Sequence, residues 1–279
     1  LAGDAHVTLA SVLWDATSTA ESAVHVQQAK EIFSGIEDPL GMARAQRLEN
    51  YILYRAGFHQ EPQERLERIA AVFEADEMDS ELADVWNLMS RIARTEPDLV
   101  RRDYDAAYAY AVKALEKAKA SRDSYRIAEC HLTLAILAYR EADYDRVLEL
   151  CTQGLAWVPN ESYPLLYVYE GMRGAALLEL GYEAENPEGR SRYWHLAFQS
   201  LTMELLYAAQ SKPANLVRAV GLVFDYLIRL PTQADVETYA EQVLAITKAA
   251  PPTDAWESIE RMCEQATQYH PFVAPRKEA

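Results

Sequence analysis

From Ala128 to Glu161 the apolar and polar positions follow a fixed order: a helical run, a polar turn at Glu141–Asp145, a second helical run, then Pro159. In the first run Leu132, Leu134, Ala135, Ile136, Leu137 and Ala138 leave almost no polar face, which predicts a helix packed on two sides. Asp143-Tyr144-Asp145 then places short acidic side chains where the next helix begins. There they accept from unpaired N–H groups and face the positive end of the helix dipole. Val147, Leu148, Cys151, Gly154 and Leu155 continue at helical spacing, and Pro159 stops the second helix because it cannot continue the hydrogen-bond ladder. Two short helices hinged in this way bury their apolar faces only against neighbours built like themselves.

The rest of the chain supplies such neighbours, less regularly. Arg102–Lys119 repeats the second-helix pattern, with Asp103-Tyr104-Asp105 as its turn and Ala107, Ala111, Ala114 and Leu115 on the packing face. Its partner is Glu81–Ala93, across a long connection at Arg94–Arg101. Further pairs are Val7–Ala16 with Ala20–Ser34, Ala43–Gly57 with Glu64–Phe73, Leu165–Gly181 with Tyr193–Ala209, and Leu216–Leu230 with Val236–Ala249. Ala255–Tyr269 reads as a terminal helix. No Asn-Gly or Asp-Gly hairpin turn separates alternating strands. The expectation is an all-α chain forming one domain over residues 1–279, with about six helix hairpins and a cap.

The 128–161 unit resembles a tetratricopeptide repeat, whose period is about 34 residues. The likeness rests on Leu134-Ala135, Tyr144, the Val147, Cys151 and Gly154 interface, and Pro159. His131 stands where that family often has a large aromatic residue, Ala135 where glycine is usual, and Cys151 where a larger residue is common. The resemblance implies a right-handed superhelical α-solenoid of antiparallel helix hairpins, capped by the terminal helix. It also implies that the first helix of each pair lines a concave groove. On that basis Arg44, Arg47, Tyr51, Tyr54 and Arg55 point inward from one pair, Asn87, Arg91 and Arg94 from the next, and Ile136, Tyr139 and Arg140 from the central one. Arginine forks hold carboxylates bidentately and tyrosine faces cover backbone at low entropic cost. An acidic peptide, or a free C-terminal carboxylate, suits such a groove. The competing expectation is that these arginines pair with acidic residues of their own or adjacent helices, Glu49, Asp84 and Glu129 among them.

Charge and composition narrow the partners. The chain carries 27 Lys+Arg against 43 Asp+Glu, a net charge of −16. An acidic surface repels phosphate backbones, so nucleic acid is not an expected partner. No apolar run approaches the ~20 residues of a membrane span, and no signal-peptide pattern opens the chain. The start at Leu1 rather than Met suggests an excised domain or a processed product. Cys130, Cys151 and Cys263 have no metal-ligand spacing. Buried reduced thiols, in a cytoplasmic protein, are expected of them, with a Cys130–Cys151 disulfide as the lesser alternative.

Chemistry is sparse. There is no glycine-rich phosphate loop and no Gly-x-Ser-x-Gly elbow, so no cofactor is implied. His6, His25, His59, His131, His195 and His270 are scattered without i, i+4 pairing, and packed roles are expected for His131 and His195. Gly181–Arg190 reads as an acidic surface insertion or a docking loop, with Trp194 packed beneath it. Three functions follow in order of expectation. The first is a protein-interaction or sensory scaffold, similar to the helical-repeat regions of bacterial signalling proteins, that binds a partner segment and regulates an attached output domain. The second is a structural assembly element, a homodimer for instance, that uses the apolar Trp256, Ile259, Met262, Cys263 and Tyr269 of the terminal helix. An enzyme comes last.

Overall fold

A computed structural model describes residues 1–16, 19–57, 62–95, 103–159, 162–211, 213–230, 232–249 and 254–269. All regular structure among them is α-helical, and the internal contacts fall into two compact units, Leu1–Leu137 and Ala138–Ala279. The first holds α1 (Ala2–Ala16), α2 (Thr19–Gly35), α3 (Pro39–Arg55), α4 (Pro62–Ala75), α5 (Asp79–Thr95) and α6 (Tyr104–Ser121). Helix α7 (Ser124–Arg140) contains the division point. The second unit continues with α8 (Tyr144–Leu155), α9 (Tyr163–Glu183), α10 (Pro187–Ala209), α11 (Pro213–Arg229), α12 (Gln233–Ala249) and α13 (Asp254–Tyr269).

Packing within each unit is sequential. Helices touch their neighbours in the chain, and α1 with α3, α3 with α5, α9 with α11 and α11 with α13 also meet. The turns that allow this share one construction. Glu37, Glu77, Arg122 and Ala142 each close a helix in the left-handed region, with φ of 54°, 54°, 55° and 57°. The following N–H reaches back five residues in each case: Asp38 to Phe33 O at 3.0 Å, Met78 to Phe73 O at 2.8 Å, Asp123 to Ala118 O at 3.2 Å and Asp143 to Ala138 O at 3.1 Å. This is a Schellman closure. At three of the four turns the next residue is an aspartate whose side chain accepts from the new helix: Asp38 from Gly41 N, Asp123 from Arg126 N and Asp143 from Arg146 N. Helix end and helix start are thereby fixed within two residues.

None of the four left-handed residues is glycine, so each carries the steric cost of its Cβ. Ala142 is exposed and has no side-chain contact to lose. Ala142→Gly is expected to raise stability in urea unfolding by a few tenths to about 1 kcal/mol, because relief of that strain exceeds glycine's extra chain entropy. A decrease would mean that residue 142 is not left-handed in the native protein.

The expected insertion at Tyr182–Arg192 is mostly helix. Helix α9 runs on to Glu183 and α10 starts at Pro187, leaving only Ala184-Glu185-Asn186 between them. Asn186 is the N-cap, accepting from Gly189 N at 2.6 Å, and Pro187 occupies a first-turn position where its missing N–H is not needed. Three residues between two helices do not make the docking loop expected of this stretch. Trp194 is buried, as expected. Close approach of α9 and α10 depends on glycine: a Cβ at Gly171, Gly174 or Gly181 would collide with Glu204, Leu201 or Trp194 respectively. Positions rising along α9 meet positions falling along α10, so the two helices run in opposite directions. The other expected insertion, at 94–101, lies largely outside the described residues, and α8 ends at Leu155, four residues before Pro159.

All three cysteines are free and buried. Burial pushes each thiol up to about 12, which makes them unreactive apolar fillers. In α13, Trp256, Ile259, Met262 and Cys263 are buried among α11 and α12 residues, so these four are covered within their own unit; the side chain of Tyr269 lies outside the described residues. No helix among the described residues is long and apolar enough to cross a membrane.

Candidate functional site

The groove residues expected on α3 and α5 converge in the first unit. Arg44, Arg47, Tyr51 and Tyr54 follow one another at helical spacing on α3, and Asp84, Asn87, Arg91 and Arg94 do so on α5. Between these helices and the start of α7 lies a cavity of ≈ 240 Å³, lined among others by Arg47, Tyr51, Asn87, Arg91, Arg126 and Glu129. Tyr125, 40% exposed, stands at its rim.

Two of the arginines are held by acids of the protein itself. Arg44 Nη2 lies 3.3 Å from Glu81 Oε1. Arg47 pairs with Asp84, whose other oxygen is 2.6 Å from Arg126 Nη1. One carboxylate thus separates two guanidinium groups, and Arg126 is further fixed by donating from Nε to Ser80 Oγ at 2.8 Å. Burial, together with the like charge of Arg126, pulls the Arg47 guanidinium down to about 10, still charged at neutral pH.

Arg91 is different. Its Nη1 donates to Tyr51 Oη at 2.9 Å, and its guanidinium carbon lies 5.4 Å from the Tyr51 ring centre and 5.5 Å from that of Tyr54. These contacts are to aromatic residues, and the charge of Glu129, on the same lining, favours the charged guanidinium. Its Nε is buried without a hydrogen-bond acceptor. Burial alone would raise the Tyr54 phenol, but the charge of Arg91 and a hydrogen bond with Thr95 outweigh it and set its pKa below the usual value. Counting formal charges on the lining, Arg47, Arg91 and Arg126 face Asp84 and Glu129, one positive charge in excess.

The remaining expected residues divide. Asn87 lines the cavity but is buried, and its Oδ1 accepts from Thr133 Oγ1 at 2.7 Å, so it pins α5 to α7. Arg94 is half-buried, and its charge acts on Tyr54. The side chain of Arg55 lies outside the described residues. Tyr139 and Arg140 belong to the second unit and do not line the cavity. There Tyr139 packs edge-on against Tyr144 with ring centres 5.4 Å apart, and burial with the nearby Glu179 pushes its phenol up to about 12. Arg140 is exposed.

The sequence pattern missed Tyr125 and Arg126 because it started the helix at Ala128. Asp123 starts it at Ser124 by capping Arg126 N at 3.1 Å, after a left-handed Arg122 that no glycine announced. The histidines differ in part from the packed roles expected of them. His131 is buried, but His195 is exposed and reaches Gln199 at 3.0 Å. His6 and His25, nineteen residues apart, meet with their Nδ1 atoms 3.0 Å apart, one donating to the other. His59 and His270 lie outside the described residues. Among the described residues no three acidic, histidine or cysteine side chains gather as a metal site.

Compared with known proteins, the chain matches no family model and no curated sequence.

Proposed function

We propose that the first unit binds a peptide or partner segment, with Arg91 as the ionic anchor and Tyr51, Tyr54 and Tyr125 as the walls. In this reading the chain is a tetratricopeptide-like, right-handed α-solenoid of antiparallel hairpins capped by α13, and it works as a binding or sensory scaffold rather than an enzyme. The next-but-one contacts of α1, α3 and α5, and of α9, α11 and α13, support that architecture. The partner is acidic at the contact or ends in a free carboxylate, and regulation of an attached signalling domain follows as its use. The observation that carries the reading is Arg91, a half-buried cation on an open cavity that packs against two tyrosines and keeps a buried Nε–H without an acceptor.

A guanidinium that keeps a buried Nε–H unmatched favours a carboxylate ligand, because charge-assisted hydrogen bonds are about twice as strong as neutral ones. Arg44 and Arg47 are already paired, so they shape the site's field more than they hold a ligand. An assembly element is the second reading, supported by Leu9 and Val12, 42% and 57% exposed on α1. The burial of Trp256, Ile259, Met262 and Cys263 removes the support it was expected to draw from those four residues of α13.

The test is affinity selection of a random peptide library, free C-termini included, against wild type and Arg91→Ala. The expected result is an enriched acidic or carboxylate-ended family on wild type that weakens at least about tenfold on the variant, the effect of losing one charged hydrogen bond. Enrichment that ignores Arg91 would refute the anchor. Recovery of no family, with a concentration-dependent dimer, would favour assembly instead.

A further inference from the structure

A second cavity, of ≈ 280 Å³, opens in the second unit where the start of α10, the end of α11 and the start of α12 come together. Local sequence chemistry places its two charged walls. Asn186 and Pro187 start α10 and put Arg190 in its first turn. Thr232 starts α12, accepting from Asp235 N at 3.1 Å while its hydroxyl donates to Asp235 Oδ2 at 2.6 Å. The floor is apolar and aromatic: Leu230 and Trp194 are buried, and the half-buried Tyr239 packs 4.7 Å from Phe198 and 5.5 Å from Tyr226, centre to centre.

Arg190 and Asp235 line this one cavity without pairing with each other. Arg190 Nη2 donates to Ala184 O at 3.1 Å, and its guanidinium carbon sits 6.0 Å from the Trp194 ring centre. Its Nε is buried and has no acceptor. Asp235 uses one oxygen on Thr232, and among the described residues the other has no partner. A buried donor left unmatched is costly, and a cation and an anion across an apolar floor call for a ligand bearing both complements.

We propose that this cavity binds a free α-amino acid with an apolar side chain. The carboxylate meets Arg190, the ammonium meets Asp235, and the side chain rests on Trp194, Leu230 and Tyr239. A simple carboxylic acid would leave Asp235 unanswered and a simple amine would leave Arg190 so; the zwitterion answers both at no net charge. The cavity falls just below the ~300 Å³ at which drug-sized sites begin, which fits a ligand of this size. The site shares no residue with the cavity of the first unit, so either stands without the other.

The test is calorimetric titration of the whole chain with leucine, isoleucine, methionine and phenylalanine, and with two leucine analogues. These are 4-methylpentanoate, which lacks the amino group, and 3-methylbutylamine, which lacks the carboxylate. Wild type is expected to bind at least one of the four amino acids. If leucine is among them, each analogue should bind at least about tenfold more weakly, the loss of one charged hydrogen bond. Arg190→Gln should no longer distinguish the amino acid from the amine, and Asp235→Asn should no longer distinguish it from the acid. Circular dichroism checks the variants' fold, and the analogue comparison needs no variant. Binding of none of the four at millimolar concentration, or of an analogue as tightly as leucine, overturns the proposal.

Discussion

Between about pH 4.5 and about pH 8 the protein is expected to lose stability as pH rises, through one buried carboxyl group. Glu204 on α10 is fully buried, packs over the bare backbone at Gly171, and has no hydrogen-bond partner on either oxygen. Burial pushes its pKa up to about 8 from an ordinary 4.5; Arg218 offsets this in part, and Glu170 adds to it. In that window the folded chain keeps a proton that the unfolded chain has released. Stability is therefore complete below the unfolded value and falls with rising pH until the folded value is reached. One proton gives a slope of about 1.4 kcal/mol per pH unit, and the whole window amounts to about 5 kcal/mol. Urea unfolding across this range should show a downward trend in wild type that is much flatter in Glu204→Gln, whose side chain does not ionise. Parallel curves for the two proteins would mean that Glu204 is solvated or paired in the native state.

Asp84→Ala is expected to cost about 2–3 kcal/mol, below the 3–5 kcal/mol typical of a fully buried broken pair because the groups are partly exposed. The aspartate and both its arginines are 21% exposed. Removing it leaves Arg47 and Arg126 facing each other without the shared anion, and Arg47 already feels that like charge. Adding Arg47→Met should recover much of the loss, since it removes one of the two stranded charges. The measurement is a urea-unfolding double-mutant cycle at low and high salt. A single-variant loss below about 0.5 kcal/mol would place the triad among ordinary solvated surface pairs.

The helices were legible because apolar spacing and short acidic caps carry most of the local information. Asp103 and Asp143 cap α6 and α8 by the hydrogen bonds their positions imply. Turns were less legible. Left-handed closures at Glu37, Glu77, Arg122 and Ala142 use residues that give no compositional signal, so the start of α7 was placed too late. Asn186-Pro187 reads as loop by composition, although the same pair is a strong start for a helix. At the site, α3 and α5 could be aligned from spacing alone, which is why Arg47, Tyr51, Asn87 and Arg91 share one cavity. Which arginine is paired could not be read. That depends on contacts between residues as far apart as Arg47 and Asp84, or Tyr51 and Arg91. Glu204 was missed for the same reason: its burial follows from Gly171 on another helix.

The most direct measurement of the central claim is hydrogen exchange of the whole chain with and without the peptide family selected on wild type. Binding at the Arg91 cavity predicts slower exchange in α3 from Arg44 to Tyr54, in α5 from Asp84 to Arg94 and at the start of α7. Little change is expected in α10 to α13. Protection confined to the second unit, or spread evenly over both, would contradict it.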